Sequence, residues 1–421
     1  MKTMTSLISK WTRKASPAWT RFLLFLSIMG PGLITANVDN DAGGITTYSQ
    51  AGAHFGLTVL WIFIPMTIVL IMIQEMSNRM GVVTGKGLSD LIRERFGVKW
   101  TFYLMMALLA TNFGNVVAEF SGIAAAGELF GISKWISVPI AAFIVWILVL
   151  KANYATIERV FLIAVIFYVA YIIAGVRAQP DWAKIGMALV TPEFKGGNAY
   201  LLMIIGLVGT TIAPWMQFYQ QASVVEKEIP LKYYKYSRID TIVGGIGVSV
   251  IALFIVVVCA ETIYPQGILI EEASQAAQAL APVAGEFSAL LFGFGLLNAS
   301  LFGASILPMS TSYTICEAMG WESGVKYKFD EAKQFYIIYT ALIVLGAAFV
   351  LIPGLPLIKV MFLSQVVNGV LLPFILVPML IMVNDKKLME EYVNGPVYNV
   401  ICWIMVVVLS GLSLVYFGSL L

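Results

Sequence analysis

The stretch of sequence that decides the fold runs from Gly30 to Gly52 and reads GPGLITANVDNDAGGITTYSQAG. Its flanks are apolar, but its centre holds Asp39, Asn40 and Asp41, followed by a pair of glycines. Glycine weakens a helix, and backbone left unpaired at membrane depth must line a cavity or be buried in protein. We therefore interpret this stretch as a membrane-spanning helix that is interrupted at its centre.

The composition of the whole chain supports a membrane location. Hydrophobic residues make up 59% of the 421 residues, charged residues make up 12%, and the mean hydropathy is +0.87. Soluble proteins carry about 25% charged residues. A net charge of +2 gives no reason to expect nucleic acid as a partner. The three cysteines show no metal-binding spacing, and the single histidine excludes a multi-histidine metal site or a serine-type triad, so we do not expect an enzyme.

A spanning helix needs about 20 mostly apolar residues. The chain holds eleven such stretches and no long polar segment, which predicts an all-α polytopic membrane protein without a separate soluble domain. The predicted spans are 22–50, 57–78, 101–130, 135–150, 157–176, 198–224, 240–264, 284–308, 334–354, 357–383 and 395–420.

Basic residues collect in cytoplasmic loops, so their distribution predicts the orientation. With residues 1–21 as a cytoplasmic tail, most of the 26 Lys and Arg residues fall inside. We read the tail as retained rather than as a signal peptide, because no small-residue cleavage site follows it. The C-terminus is then outside. The outer segments hold only Lys134, Arg177, Lys184, Lys195 and Lys359.

The sixth span carries a second predicted break. It reads GLVGTTIAPWMQFYQQAS over Gly206–Ser223, and Pro214 removes a backbone donor and clashes with the preceding helical turn. Two interrupted helices five spans apart are typical of inverted-repeat transporters, whose site lies between them at the midplane. This predicts a first repeat over 22–176, a second over 177–383 and an eleventh helix within 384–421. The alternative is that both glycine and proline positions are simple kinks.

Carboxylates inside the predicted spans suggest a cation site, because no Lys or Arg lies mid-span to neutralise them. Asp41 adjoins the glycine pair and is the first choice of ligand. Asp39 is a weaker candidate, because it would point about 200° away on an intact helix. Glu119 is either a neighbouring vestibule acid or a protonated structural residue, and Glu75 is expected to be interfacial. Gln365 offers an amide carbonyl, which suits a hard cation.

Several segments resemble the Nramp family of divalent-metal transporters. GPGLITANVDNDAGG, YSQAGAHFG and GVVTGKGLSDLIRERFG carry the resemblance at the start of the chain, and AEF at Ala118–Phe120 and SQVV at Ser364–Val367 continue it. The resemblance implies a LeuT-type fold with two inverted five-helix repeats plus an eleventh transmembrane helix, with helices 1 and 6 discontinuous.

The resemblance also implies a set of ligand positions, with departures from the family pattern. The Asp-Pro-Gly-Asn signature reads Asp41-Ala42-Gly43-Gly44 here, and Met-Pro-His reads Ala213-Pro214-Trp215. An acid that precedes the Glu of AEF in the family is Val116 here. The implied metal positions are Asp41, Gly44, Ala213 and Gln365, with the backbone carbonyls of Val38 and Thr210. Around them, as second-shell or vestibule residues, we place Asp39, Asn40, Glu119, Thr211 and Trp215.

These departures favour a hard, partly hydrated ion. A thioether favours softer metals, and Mg²⁺ keeps several waters and needs only one or two carboxylates. The pattern resembles the Nramp-related magnesium transporter branch, which implies transport of Mg²⁺ and Mn²⁺ as substrates and no cofactor. Loss of the family's His and Asp predicts transport without proton coupling, because it removes two titratable groups. We further expect a monomer in a prokaryotic plasma membrane, with divalent ions and the lipid bilayer as partners.

Three alternatives remain at this stage. A proton-coupled Mn²⁺/Fe²⁺ symporter of the ordinary Nramp type is the nearest. An amino-acid carrier of the same fold is disfavoured, because Asp39 and Asp41 would repel a substrate carboxylate. A non-transporting metal sensor belongs to another class and would need an output domain or a long tail.

Overall fold

The computed structural model describes residues 38–151, 166–281, 285–325 and 327–418, and within these ranges the secondary structure is helical with no strand. The predicted all-α class is therefore confirmed. The predicted tail at 1–21, the first part of the first span and the first part of the fifth lie outside the described residues.

The helices follow the predicted spans closely, with short extra helices between them. Numbered in chain order, they are α1 (Ala42–Phe55), α2 (Phe63–Thr84), α3 (Leu88–Leu129), α4 (Lys134–Lys151), α5 (Ile166–Arg177), α6 (Trp182–Val190), α7 (Asn198–Thr211), α8 (Pro214–Glu226), α9 (Tyr234–Thr262), α10 (Ala273–Ala277), α11 (Ser288–Met319), α12 (Lys333–Val350), α13 (Leu357–Val383), α14 (Lys386–Met389) and α15 (Pro396–Gly418). A 3-10 segment at Gly56–Ile62 joins α1 to α2.

Eight stretches among the described residues are long and apolar enough to cross a membrane, and the first of them contains both α1 and α2. Several helix boundaries differ from the predicted spans. The α-helix of the second span runs from Phe63 to Thr84, after the 3-10 segment at Gly56–Ile62, and α9 already begins at Tyr234. The third and eighth extend beyond the apolar window, since α3 starts at Leu88 and α11 continues to Met319 through polar residues. In α3 the backbone breaks at Gly97, where φ is 80°.

The predicted interruption of the first span is present, but it lies before the glycine pair. Val38 and Asp39 are helical, the chain turns at Asn40 and Asp41, and α1 begins at Ala42. Both glycines lie in the first turn of α1 and allow close approach. A Cβ on Gly43 would lie 1.9 Å from Nε2 of Gln365, and one on Gly44 would lie 2.4 Å from the carbonyl oxygen of Asp39.

The predicted interruption of the sixth span separates α7 from α8. Helix α7 ends at Thr211, Ala213 has extended backbone, and Pro214 is the first residue of α8. Proline suits this position, because the first backbone amide of a helix has no intrahelical partner and the ring fixes a helical φ.

The helices that surround the two breaks are α3, α11 and α13. Helix α3 packs along α11 and α13, and α1 contacts α7, α9 and α13. The crossing of α7 and α13 is especially close. A Cβ on Gly209 would lie 1.9 Å from the carbonyl oxygen of Gln365 and 2.4 Å from the nitrogen of Gly369. The sixth span is thereby held directly against the helix that carries Gln365.

Helix α2 carries Glu75, which the sequence predicted to lie at the membrane interface. Glu75 is buried and forms an ion pair of 3.3 Å with Arg79. It also accepts hydrogen bonds from Tyr234 and, at 2.9 Å, from Tyr398. Arg79 donates to Asn394 and to the carbonyl of Tyr392 at 2.8 Å. These partners make burial of the charge tolerable. The network joins α2 to α9 and α15.

Candidate metal-binding site

Asp41 lies at the break of the first span and caps α1. Its Oδ1 accepts a hydrogen bond of 2.7 Å from the backbone nitrogen of Gly44. Its backbone is extended, which is usual for a residue that caps a helix N-terminus. The positive end of the α1 dipole favours a negative charge here. The cap thus fixes the direction of the carboxylate.

Glu119 of α3 faces the same point. Its Oε2 accepts from the nitrogen of Ala42 at 3.4 Å, in the same first turn of α1 whose Gly44 nitrogen donates to Asp41. Its Oε1 is buried and has no hydrogen-bond partner. The first turn of α1 therefore brings the two acids, Asp41 and Glu119, to the same helix end.

The residues just before the break are buried. Both carboxylate oxygens of Asp39 are buried without a hydrogen-bond partner. Val38 and Asn40 are also buried. Among the residues that the structure describes, no three His, Cys, Asp or Glu side chains form one metal-binding group.

The end of α7 lies against the start of α1. Oγ1 of Thr210 would lie 3.3 Å from a Cβ on Gly44. One residue on, Thr211 shares a hydrogen bond of 2.7 Å with the hydroxyl of Tyr48 on α1. The two breaks, which are far apart in sequence, are thus adjacent in space, as the sequence predicted.

The other two predicted site positions in the sixth span, Ala213 and Trp215, are apolar and buried. Ala213 caps α8, and its carbonyl accepts from the nitrogen of Met216 at 3.1 Å. Trp215 is buried in the first turn of α8, and its carbonyl accepts from Ser310 of α11 at 3.4 Å. No imidazole or thioether is present at positions 213 and 215.

Gln365 of α13 contacts the first turn of α1, but with its nitrogen. Nε2 faces Gly43 and donates to Ser364 at 3.1 Å, while Oε1 accepts from Asn368 at 2.8 Å. The amide oxygen predicted as a ligand is thus engaged by Asn368 in this state.

Three groups that shape the site were not predicted from the sequence. Tyr48 ties α1 to α7. The amide of Gln217 faces the carbonyl oxygens of Ala213 at 2.8 Å and Pro214 at 2.6 Å at the second break, and with its nitrogen turned toward them it donates to both. The third group is the pair Asn115 and Asn368, which hydrogen-bond across α3 and α13. The available signal was amide side chains in otherwise apolar spans.

A cavity of about 780 Å³ lies near the C-terminal end of α1. Its lining mixes apolar with polar residues, and the charged ones are more often acidic than basic. The polar part includes Gln50, His54, Glu128, Glu271, Glu272 and Lys359. Thr46 lies on α1 between Asp41 and Gln50, one turn before Gln50, and its hydroxyl donates to the sulfur of Met361 at 3.5 Å. This contact lies between the cavity and the break.

Comparisons with curated proteins identify relatives of similar length. The "Divalent metal cation transporter MntH" of Yersinia pestis (strain Pestoides F) is 26% identical over 410 residues, which are 94% of this chain and 96% of the relative. A protein of the same name from Deinococcus radiodurans is 27% identical over 404 residues, which are 92% and 88%.

Two solved structures share the fold. The Eremococcus coleocola manganese transporter, in complex with an aromatic bis-isothiourea substituted compound, superposes with a TM-score of 0.77 at 20% identity over 97% of this chain and 89% of that one. MhsT in complex with L-phenylalanine gives 0.57 at 14% identity over 92% and 98%. The predicted LeuT-type fold is confirmed.

A family model described as "Natural resistance-associated macrophage protein-like" matches residues 32–419. The match covers nearly the whole chain, including both helix breaks and the helices around them. The protein therefore belongs to the Nramp family.

Proposed function

We propose that this protein is a membrane transporter for divalent metal ions that binds Mg²⁺ or Mn²⁺, partly hydrated, between the two helix breaks. The observation that carries the proposal is the carboxylate of Asp41, held at the first break beside the end of α7. The names of the relatives and of the manganese transporter support the class of substrate.

The preference for a hydrated ion rests on the donor set. Apart from the carboxylates, the proposed ligands are the amide of Gln365 and the backbone carbonyls of Val38 and Thr210. Gly44 and Ala213 supply no donor side chain. Mg²⁺ dehydrates reluctantly and is usually held by one or two carboxylates together with water. A site with few direct protein ligands therefore suits Mg²⁺ that retains part of its water shell.

Transport by alternating access follows from the same features. The cavity near Gln50 and His54 is the proposed outer vestibule, and the Thr46–Met361 contact is the layer that must open between it and Asp41. The hydrogen bond between Tyr48 and Thr211 would keep the ends of α1 and α7 together as the ion passes. The orientation with the N-terminus inside and a monomeric plasma-membrane protein remain part of this proposal.

Uptake without proton movement is the expected mode. Trp215 and Val116 do not titrate, and an inside-negative potential contributes about 2.3 kcal/mol per charge per 100 mV, so about twice that for a divalent ion. In proteoliposomes with an internal pH dye, we expect Mg²⁺ uptake driven by a potassium-diffusion potential without acidification. Acidification that follows metal entry and stops with it would contradict the uncoupled mode.

The proton-coupled Mn²⁺/Fe²⁺ symporter is the second candidate, and one contact favours it. Asp41 and Glu119 both accept from backbone nitrogens of the first turn of α1, so a proton held by this pair of acids would be released when a metal ion binds Asp41. Glu119→Gln separates the candidates. An uncoupled carrier keeps its Mg²⁺ uptake and its lack of acidification in this variant, whereas a symporter loses metal-dependent acidification that the unmodified protein shows.

Ala213→Met should shift the metal preference toward soft ions. A thioether at this position adds a soft ligand, and soft ligands favour Mn²⁺ and Cd²⁺ over Mg²⁺. We expect the ratio of the Cd²⁺ and Mg²⁺ dissociation constants, measured by isothermal titration, to change by about tenfold or more in favour of Cd²⁺. Ala213→Leu, which has similar bulk and no sulfur, is the control. Equal ratios in the two variants would refute the ligand-softness argument.

A further inference from the structure

Three buried amides connect α3 to the candidate metal site. Asn115 of α3 and Asn368 of α13 exchange two hydrogen bonds, each from Nδ2 to Oδ1 at 3.0 Å. Nδ2 of Asn368 also donates to Oε1 of Gln365 at 2.8 Å. All three side chains are at least 98% buried. Nε2 of Gln365 also donates to the hydroxyl of Ser364 at 3.1 Å, and a hydroxyl can turn to donate to an oxygen in the same place. Within the chain of three amides, each one therefore determines how its neighbour is oriented.

The orientation of Gln365 poses a chemical problem for ion binding. An amide ligates a cation through its oxygen, whereas its NH₂ group is a donor only. In this structure the nitrogen faces Gly43, beside the Asp41 break, and the oxygen faces Asn368. Gln365 must rotate its amide by about 180° to present the oxygen to an ion near Gly43.

Rotation of Gln365 alone would leave two donors facing each other, because its NH₂ would then meet Nδ2 of Asn368. If Asn368 also rotates, its oxygen accepts from Gln365. If Asn115 rotates as well, the paired hydrogen bonds between the two asparagines form again with donor and acceptor exchanged. The chain of amides is therefore satisfied in two arrangements, and an intermediate arrangement leaves a buried donor or acceptor unpaired.

We infer that Asn368 and Asn115 are positioning residues that determine which end of the Gln365 amide faces the ion. In the arrangement seen here the amide nitrogen faces the site, and ion binding selects the other arrangement. The inference rests on the proposed function, since it concerns Gln365 as a ligand. It also means that ion binding reverses the direction of the hydrogen bonds between Asn115 of α3 and Asn368 of α13.

A double-mutant cycle on purified full-length protein tests the inference, with dissociation constants for Mg²⁺ and Mn²⁺ measured by isothermal titration. Asn368→Leu removes the partner that orients Gln365, and we expect it to weaken binding by about fivefold to tenfold. In the Gln365→Ala background the same substitution should change the constant by less than about twofold. Equal weakening in both backgrounds would overturn the inference.

Asn112→Leu is the matched control. Asn112 lies on α3 one turn before Asn115, is equally buried, and donates at 2.8 Å to Thr311 of α11 instead of α13. We expect its dissociation constants to match those of the unmodified protein. A loss equal to that of Asn368→Leu would indicate a packing effect and would overturn the positioning role.

Asn368→Asp covers the case in which the leucine variant does not fold. Aspartate has the shape of asparagine but only accepts, so it holds the NH₂ of Gln365 and turns the oxygen toward the ion. Binding at least as tight as in the unmodified protein, with a smaller gain in the Gln365→Ala background, supports the inference. Weaker ion binding by Asn368→Asp in the protein that retains Gln365 contradicts the inference. If the unmodified protein binds neither Mg²⁺ nor Mn²⁺, both the proposed function and this inference are overturned. If the unmodified protein binds these ions with a measurable dissociation constant, a failed variant test counts only against the positioning role of Asn368 and Asn115.

Discussion

Asp41→Ala and Asp41→Asn should each lower Mg²⁺ transport by at least about a hundredfold. Loss of the carboxylate removes the ligand charge from the first break, and a cost of about 3 kcal/mol or more corresponds to that factor. The two variants differ in the helix cap. Asparagine can still accept from the nitrogen of Gly44, whereas alanine leaves that nitrogen without its capping partner, at a cost of about 1 kcal/mol.

Comparison of Asp41→Ala with Asp41→Asn therefore separates the effect on ion binding from the effect on folding. Initial rates of Mg²⁺ uptake in proteoliposomes report the transport loss, and thermal unfolding in detergent reports the cap. Asp39→Asn is the control, because Asp39 is similarly buried and two residues away but does not cap α1. It should retain more transport than either variant of Asp41. Ordinary Mg²⁺ flux in Asp41→Asn would refute the assignment of the site.

Gly209→Ala should impair both stability and metal binding. The added Cβ would meet the carbonyl oxygen of Gln365 at 1.9 Å and the nitrogen of Gly369 at 2.4 Å. These atoms belong to the backbone, so rotation of a side chain cannot relieve the clash and α7 must move away from α13. Overpacking of this kind costs about 1–3 kcal/mol or more. The shift also changes the distance between Thr210 and Gln365, which we propose as ligands.

Gly247→Ala is the matched control for this prediction. Gly247 lies within α9, and a Cβ there would meet no atom within 4 Å. Alanine is favoured over glycine in a helix by about 0.5–1 kcal/mol, so this variant should unfold at the same temperature or slightly higher. Equal unfolding temperatures and equal Mg²⁺ affinities for the two variants would show that the close crossing of α7 and α13 is not required.

The sequence predicted the helices and both breaks, because these depend on local properties. Apolar runs of sufficient length identify spans, and Pro214 has the same conformational consequence in any protein. The resemblance at Gly81–Gly97 and Ala118–Phe120 predicted the arrangement of the spans. Helix ends were less predictable, as in α11, because a hydropathy window stops where polar residues begin although the backbone hydrogen bonds continue.

The parts that could not be predicted depend on contacts between distant segments. The Gly43–Gly44 pair was read as the break, but it permits close approach by Gln365 and by the Asp39 carbonyl. Only the packing of α1 on α13 distinguishes these two roles of glycine. Likewise, Glu75 carries no sequence signal for its partners on α9 and α15, since Tyr234 and Tyr398 lie far along the chain.

The ion pair on α2 has a consequence for the order of assembly in the membrane. Glu75 and Arg79 enter the bilayer when α2 is inserted, but their partners Tyr392, Asn394 and Tyr398 are synthesised far later. Until then the pair must neutralise itself along one face of a single helix. Docking of Tyr392–Tyr398, which leads into α15, completes these hydrogen bonds, so a nascent chain that stops before this segment holds the pair without them.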